Sequence, residues 1–383
     1  MRTAVETLFR TLARDSGAPF AVRYDDGTEW RSSDAKPEFT LIFRGARAYR
    51  RIALFGHVGL LEAYFDGEVD LEGSLAPALG AGMAARAEQP TLLVRLANRW
   101  HEFLHSNASW TRAKHNAEFH YALGPEFYRY WLDDPLMLYT CAYWKQGTRT
   151  LEEAQRNKLE HVGRKVLLKP GEDVVDVGSG FGGFLLYAEE RFGVKVTGYN
   201  TTRSQVEHAG RDGLVDLIRA HARALKPGGL GLIHFIGHVG RFETDYFIRK
   251  YIFPGGWIPS LADVIVEMEN AGLEVLDIEN LRRHYALTLD VWAERFDRNW
   301  EKIHALDPRR FDERFRRIWR VYLYGCAEMF RSRAGHTHLF QIVFSKGNVS
   351  MATHPMTREH LYELDEQPSH SALAEKRSPG RAA

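Results

Sequence analysis

Cysteine is scarce in this sequence. The 383 residues contain two, Cys141 and Cys326, and neither stands in a Cys/His cluster with the spacing of a zinc site. Two cysteines exclude a scaffold stapled by several disulfides, and they are typical of a protein in a reducing compartment. Because 44% of the residues are hydrophobic, the chain can build an apolar core instead. We expect no metal site.

Long apolar runs and a surplus of charge of one sign are also absent. No stretch of 18 uncharged apolar residues occurs, so the sequence predicts no membrane-spanning helix. The first twenty residues carry charges throughout and do not match a signal peptide. Lys and Arg total 51 while Asp and Glu total 50, which argues against a nucleic-acid-binding protein. We therefore expect a cytoplasmic protein.

Changes in composition divide the chain into four parts. Residues 1–80 indicate a small α+β domain that includes a strand over Glu38–Gly45, and residues 81–119 a basic helical linker. Residues 120–347 indicate a larger α/β domain. The polar, proline-containing residues 348–383 are typical of a disordered tail.

Basic and apolar residues alternate at helical spacing in the linker. This pattern fits a helix at a membrane surface, and it equally fits a helix packed on the domain with a solvated polar face. The arginine-rich stretches Arg44–Arg51 and Arg309–Arg320 are further candidates for contact with anionic headgroups. Nine tryptophans suit either core packing or a site for a large apolar ligand.

The strongest local signal is a glycine loop between two predicted strands. Val174–Val177 reads as a buried strand that contains Asp176, and a helix and a strand over Val194–Tyr199 follow the loop. Glycines let the backbone approach a ligand and turn sharply into a helix. No Lys-Ser/Thr pair follows, so the loop is not a P-loop. The order resembles methyltransferases that bind S-adenosylmethionine; a nicotinamide-binding fold and a turn without function stay open.

Motifs on both sides of this loop point to one family. The segment YTCAYW precedes the loop, and YIFPGG and HYALTLDVW follow it. Together they resemble the cyclopropane fatty acid synthase family over about residues 35–346, and Gly59–Gly73 is similar to that family's N-terminal lipid-binding domain. The resemblance implies a Rossmann-like methyltransferase sheet behind a smaller α+β lipid-binding domain.

The resemblance also implies a chemistry. The methyl group of S-adenosylmethionine is transferred to a cis double bond of a phospholipid acyl chain, a base removes a proton, and a cyclopropane ring closes. The family uses bound bicarbonate as that base. The expected partner is unsaturated phospholipid at the inner membrane surface, with a homodimer as a further expectation. Two alternatives stay open: a methyltransferase that leaves a methyl or methylene branch, and a catalytically impaired lipid-binding relative.

Site residues follow from the same resemblance, position by position. The bicarbonate pocket falls on Cys141, Glu207, His234, Ile236 and Tyr285. Taken singly, each also has an ordinary interpretation as a core residue or a helix-start acid. The residues expected to bind the cofactor are Tyr139, Thr140, Asp176, Gly178, Gly180, Gly182, Asn200 and Gln205.

The spacing after the second strand is too short for a complete methyltransferase sheet. That strand ends near Asn200, and the next, LGLIHF, begins near Leu230. Two strands, three helices and their connections need on the order of 65 residues, more than twice what is present. We therefore predict an internal deletion near Gln205 and Val206 that removes strands three and four. LGLIHF should then pair directly with VVDVG, or VVDVG should keep an open edge.

Replacing Gly180 by valine tests the cofactor assignment. We expect Gly180→Val to abolish binding of S-adenosylmethionine, because a side chain on this loop occupies the space that the methionine part needs. Isothermal calorimetry measures the affinity. Equal affinity in both proteins contradicts the assignment.

Overall fold

A computed structural model describes residues 1–85, 91–105, 123–199 and 211–362. Residues 1–348 form one compact unit, and the remaining residues form a second, in which the described part includes a short helix over Glu359–Tyr362. Residues 363–383 of the predicted tail lie outside the described residues. Within the described ranges, no helix is both long enough and apolar enough to cross a bilayer.

The N-terminal part is the predicted α+β domain, with helices on a four-stranded sheet. The strand order is β2-β1-β3-β4, in which β1 and β3 run parallel and the other neighbours antiparallel. Stacked aromatic rings fill its core, such as Phe20 on Phe39, whose ring centres lie 5.0 Å apart. The elements are α1 (Arg2–Ser16), β1 (Phe20–Arg23), β2 (Glu29–Arg31), β3 (Phe39–Phe43), α2 (Arg47–Phe65), β4 (Val69–Gly73) and α3 (Leu75–Ala84).

The larger part alternates helices and strands, as the sequence predicts. The helix Leu151–Lys165 begins at Thr150, whose side chain forms a reciprocal capping box with Glu153. The elements are α4 (Leu92–His105), α5 (Pro125–Arg129), α6 (Leu151–Lys165), β5 (Asp173–Val177), α7 (Gly183–Phe192), β6 (Lys195–Tyr199), α8 (Arg211–Ala224), β7 (Leu230–His238), a π-helical turn (Ile248–Ile252), α9 (Leu261–Asn270), β8 (Leu273–Asn280), α10 (Arg282–Arg298), α11 (Trp300–Leu306), α12 (Glu313–Arg331) and β9 (Thr337–Lys346).

The described strands of this part form two separate sheets. β5 pairs in parallel with β6, while β9 lies between β7 and β8 and runs antiparallel to both. The prediction that LGLIHF pairs with VVDVG is therefore wrong, and the open-edge alternative stays a prediction. A strand does form at Val174–Val177, but its expected burial is wrong, since Val175 is 53% exposed and Val177 39% exposed. Among the described strands, β5 pairs with β6 alone.

Arginines join α12 to the N-terminal sheet. Arg317 donates to the backbone oxygen of Tyr64 at 2.7 Å and to the carboxylate of Asp70 at 2.6 Å, and Arg314 pairs with Asp66 at 2.9 Å. In the other stretch proposed for headgroups, Arg51 also pairs with Asp66, at 2.7 Å. These arginines act within the fold, and the prediction of headgroup contact finds no support in them.

Aromatic side chains dominate the core between α5, α10 and α12. Trp131 and Trp292 are fully buried and meet edge to face at 5.7 Å between ring centres, and Phe127 contacts Trp319 in the same way at 4.9 Å. Such contacts add about 0.5–1.5 kcal/mol per pair beyond area burial. Core packing, rather than a ligand, accounts for these tryptophans.

Candidate active site

A large apolar cavity of about 1670 Å³ lies within the first unit. Its walls come from the N-terminal part, with Leu61 and Leu79, and from the larger part, with Leu289 and Phe330. Five of the predicted site residues line it together: Tyr139, Thr140, His234, Ile236 and Tyr285. The structure therefore brings residues from three distant segments of the chain into the lining of one cavity.

The other members of the predicted bicarbonate pocket have different surroundings. Cys141 is fully buried next to Thr140, and its thiol donates to the Ala142 backbone oxygen at 3.2 Å. Burial raises the pKa of Cys141, so its thiol stays protonated and unreactive at neutral pH. Glu207 lies outside the described residues, as do the predicted cofactor ligands Asn200 and Gln205.

A chain of buried hydrogen bonds fixes the protonation of His234. Its Nε2 lies 3.1 Å from Thr140 Oγ1, and its Nδ1 lies 3.1 Å from the amide nitrogen of Gln341. The Gln341 oxygen accepts from Lys165 Nζ at 2.8 Å. An ammonium group only donates, so the amide NH₂ must face Nδ1, and the imidazole proton resides on Nε2. Burial lowers the pKa of His234 to about 3, which keeps the ring neutral.

Glu279 is the counterion of this chain. Its Oε2 accepts from Lys165 Nζ at 2.6 Å and from His161 Nε2 at 2.8 Å. Burial by itself would raise the pKa of Glu279, but the His161 hydrogen bond and the Lys165 charge together lower that pKa to about 2. Glu279 thus stays ionised and lets Lys165 carry its charge in the interior.

Sequence reasoning missed these supporting residues. Gln155, Lys158, His161 and Lys165 follow at intervals of three or four along α6 and are all buried. A polar stripe at helical spacing on the buried face of a helix is the signal that was available. Gln155 also donates to the backbone oxygens of residues 138 and 140, at 3.1 and 2.9 Å, and so holds the start of YTCAYW.

Lys158 adds a second buried positive charge behind the cavity wall. Burial lowers the pKa of Lys158 to about 8, against the opposing influence of Asp133, Cys141 and Asp176. Burial likewise raises the pKa of Asp176, the acid predicted at the cofactor, which Lys158 partly offsets. The charge of Lys158 therefore acts both on Asp176, near the end of β5, and on His234 in the cavity lining.

The glycine loop has the predicted shape. Gly178, Gly180 and Gly182 have φ angles of +92°, +53° and +82°, a region that L side chains rarely adopt. Gly183, the first residue of α7, also allows close packing, because an added Cβ would lie 2.6 Å from the Leu136 oxygen. The loop thus turns directly from β5 into a helix N-terminus, a geometry suited to a cofactor. Within the described part of the chain, no group of three His, Cys, Asp or Glu side chains is placed to hold a metal.

Comparison with known proteins identifies relatives along most of the chain. A family model described as mycolic acid cyclopropane synthetase matches residues 108–212 and 201–342. A probable fatty acid methyltransferase of Pseudomonas putida is 28% identical, with 90% of this chain and 96% of that protein covered. The cyclopropane-fatty-acyl-phospholipid synthase of Escherichia coli K12 is 31% identical, with 78% and 86% covered.

Solved structures agree with the fold. The cyclopropane synthase MmaA2 from Mycobacterium tuberculosis matches with a TM-score of 0.55 at 26% identity, over 61% of this chain and 98% of that chain. Mycolic acid cyclopropane synthase CmaA1, complexed with SAH and CTAB, matches with a TM-score of 0.55 at 28% identity, over the same shares. Coclaurine N-methyltransferase, at 17% identity and a TM-score of 0.58, shares the fold alone. The α/β methyltransferase fold is thereby confirmed.

Replacing Glu279 by glutamine tests the buried counterion. The pKa of Glu279 falls from 4.5 to about 2 on folding, so its contribution is complete above about pH 5 and is lost as pH falls through that range. We expect Glu279→Gln to lower the free energy of unfolding by about 2 kcal/mol at pH 7. Urea denaturation should show this difference shrinking at pH 3.5. Glu269→Gln, at an exposed position of α9, is the control; a pH-independent difference for Glu279→Gln contradicts the linkage.

Proposed function

The chain belongs to the mycolic acid cyclopropane synthetase family, and on that premise we propose that it transfers the methyl group of S-adenosylmethionine to a cis double bond of a phospholipid acyl chain and closes a cyclopropane ring. The observation that carries this proposal is the apolar cavity of about 1670 Å³ whose lining includes His234, Thr140 and Tyr285. Its volume exceeds the roughly 300–1,000 Å³ of ordinary small-molecule sites, as a long acyl chain requires.

The polar groups around His234 in the cavity lining fit a small anion. The N–H at Nε2 of neutral His234 donates to Thr140 Oγ1, which leaves the Thr140 hydroxyl proton to donate to an anion. Lys158 and Lys165 add positive charge nearby. A buried anion needs such donors, since its hydration is lost. Bicarbonate bound there would supply the base that takes a proton from the substrate. In this proposal Tyr285, Glu207 and the backbone beside Cys141 and Ile236 complete its binding site.

The glycine loop supports the assignment of the cofactor site. Gly178, Gly180 and Gly182 bring the backbone into the approach that the methionine part requires, and Asp176 is the second-last residue of the strand before them. We assign Tyr139 and Thr140 to the same site because both line the cavity wall. An alkene lacks a strong nucleophilic atom, so holding the methyl group and the double bond in line contributes most to the rate.

A branch-forming methyltransferase is the second candidate. The relative that aligns with 90% of this chain is named a probable fatty acid methyltransferase. Both products follow from the same methylated carbocation, and in both a base takes a proton from the transferred methyl group. Direct loss of that proton closes the ring, whereas a 1,2-hydride shift before the loss gives a methylene branch. The protein acts in either case at the inner membrane surface, and the homodimer expected from the resemblance stays a prediction.

Three observations support the proposed deletion of strands three and four. The family model matches in two stretches that meet at residues 201–212. The alignment to the Pseudomonas putida protein spans 396 positions but covers 90% of the 383 residues, about 345, so about 50 positions have no counterpart here. The described residues between Tyr199 and Leu230 form one helix, α8, and β5 lacks a neighbour on its second edge among the described strands.

Lipid analysis of cells that express the chain tests the function. A mass gain of one CH₂ with loss of the double bond indicates ring formation, and a retained double bond indicates a methylene branch.

Glu207→Gln should remove product without changing the melting temperature, since the anion rather than the fold depends on that carboxyl group. Glu190→Gln, an exposed site on α7, is the matched control. Unchanged lipids with folded, cofactor-binding wild-type protein contradict the proposal and favour an impaired relative.

Restoring the deleted segment tests the effect of the gap. We expect weak methyl transfer from the chain as it is, because strand four would border the adenine side of the cofactor site. A variant with a family-type insert between Gln205 and Val206 should melt at a higher temperature and transfer methyl groups faster. Equal melting temperatures and equal rates in the two proteins show that the count of missing elements is wrong.

A further inference from the structure

Helix α4 presents its apolar face to solvent. Six large hydrophobic residues on it are between 44% and 72% exposed, and they recur at intervals of one, three or four: Leu92, Leu93, Leu96, Trp100, Phe103 and Leu104. Trp100 and Phe103 lie with ring centres 5.9 Å apart and form the centre of this apolar face. A helix that packs on a soluble domain places such residues inward. In α4 the large hydrophobic residues face outward instead.

Polar contacts hold the opposite face of α4 against the protein. Asn98 is buried and lies 3.4 Å from Glu243, and it accepts from Arg249 at 3.3 Å. Arg249 is 5% exposed and also pairs with Glu102 at 3.3 Å. Since a buried guanidinium must stay paired, these contacts fix the rotation of the helix. The outward apolar face is therefore a built feature of the fold.

The same helix borders the cavity. Leu92, Leu96, Arg95 and Arg99 line the cavity while each remains exposed, so the cavity reaches the surface beside the apolar face. Neither arginine forms an ion pair with a residue of the described part. An exposed stripe of Leu, Trp and Phe flanked by arginines matches the chemistry of an anionic lipid surface. A protein partner would explain the stripe but not its position at the cavity opening.

We propose that α4 is the element by which the protein inserts into an anionic bilayer, with Trp100 and Phe103 in the acyl region and Arg95 and Arg99 at the headgroups. The cavity opening then faces the lipid, and an acyl chain enters without crossing water. The role of this entry rests on the proposed function, but membrane insertion itself requires no catalysis. The proposal favours the membrane-surface interpretation of the linker for residues 92–105.

Binding to vesicles without substrate tests the insertion. The vesicles contain saturated phosphatidylglycerol or saturated phosphatidylcholine, and no S-adenosylmethionine is added, so turnover plays no part. We expect wild-type protein to sediment with phosphatidylglycerol vesicles and to bind phosphatidylcholine more weakly. The double variant Trp100→Gln, Phe103→Gln should bind at least about tenfold more weakly. Val266→Gln, which replaces a 50% exposed apolar residue of α9, should bind as wild type does.

Further measurements separate this inference from the proposed function. The double variant should keep its circular dichroism spectrum and its affinity for S-adenosylmethionine, and any wild-type methyl transfer to detergent-dispersed lipid should be retained. Wild-type protein that binds no anionic vesicle, or a double variant that binds as tightly as wild type, overturns the insertion and leaves the function untouched. A wild-type dimer that the double variant dissociates, with vesicle binding unchanged, makes the stripe a subunit interface and also overturns it.

Discussion

Lys165 keeps its charge in the protein interior because the carboxylate of Glu279 lies 2.6 Å away. The ammonium group then determines which end of the Gln341 amide faces His234, and the amide determines which imidazole nitrogen carries the proton. The Lys165–Glu279 ion pair thus determines, through Gln341, which nitrogen of His234 donates a hydrogen bond and which accepts one. Without that carboxylate the ammonium group would be a buried charge with no counterion, which is costly.

Local elements of the fold follow readily from the sequence. The glycine loop, the helix after it and the strand at Phe39–Phe43 depend on residue types within a few positions of one another. The exposure of Val175 did not follow, because the burial of a strand residue depends on which elements lie beside β5, and local sequence does not specify them. The amphipathic pattern of residues 92–105 predicted a helix but could not give its orientation, which Arg249 determines from 150 residues away.

The candidate site divides in the same way. Resemblance placed His234, Ile236 and Tyr285 together, and the structure finds all three lining one cavity. The sequence could not predict the hydrogen-bond network that supports His234, since Lys165 and Gln341 lie 176 residues apart in sequence. A single hydrogen bond across that separation leaves no local pattern. What the sequence did carry was a polar stripe on the buried side of α6, and its meaning depends on the partners that face it.

The burial of Cys141 has a practical consequence for following motions of the larger domain. Its thiol has no exposed surface and a raised pKa, so a maleimide or iodoacetamide reagent meets neither access nor thiolate while the domain is closed. Alkylation then proceeds only through transient opening of the segment around YTCAYW. The alkylation rate of this residue would report the free energy of that opening directly, next to Thr140 in the cavity lining.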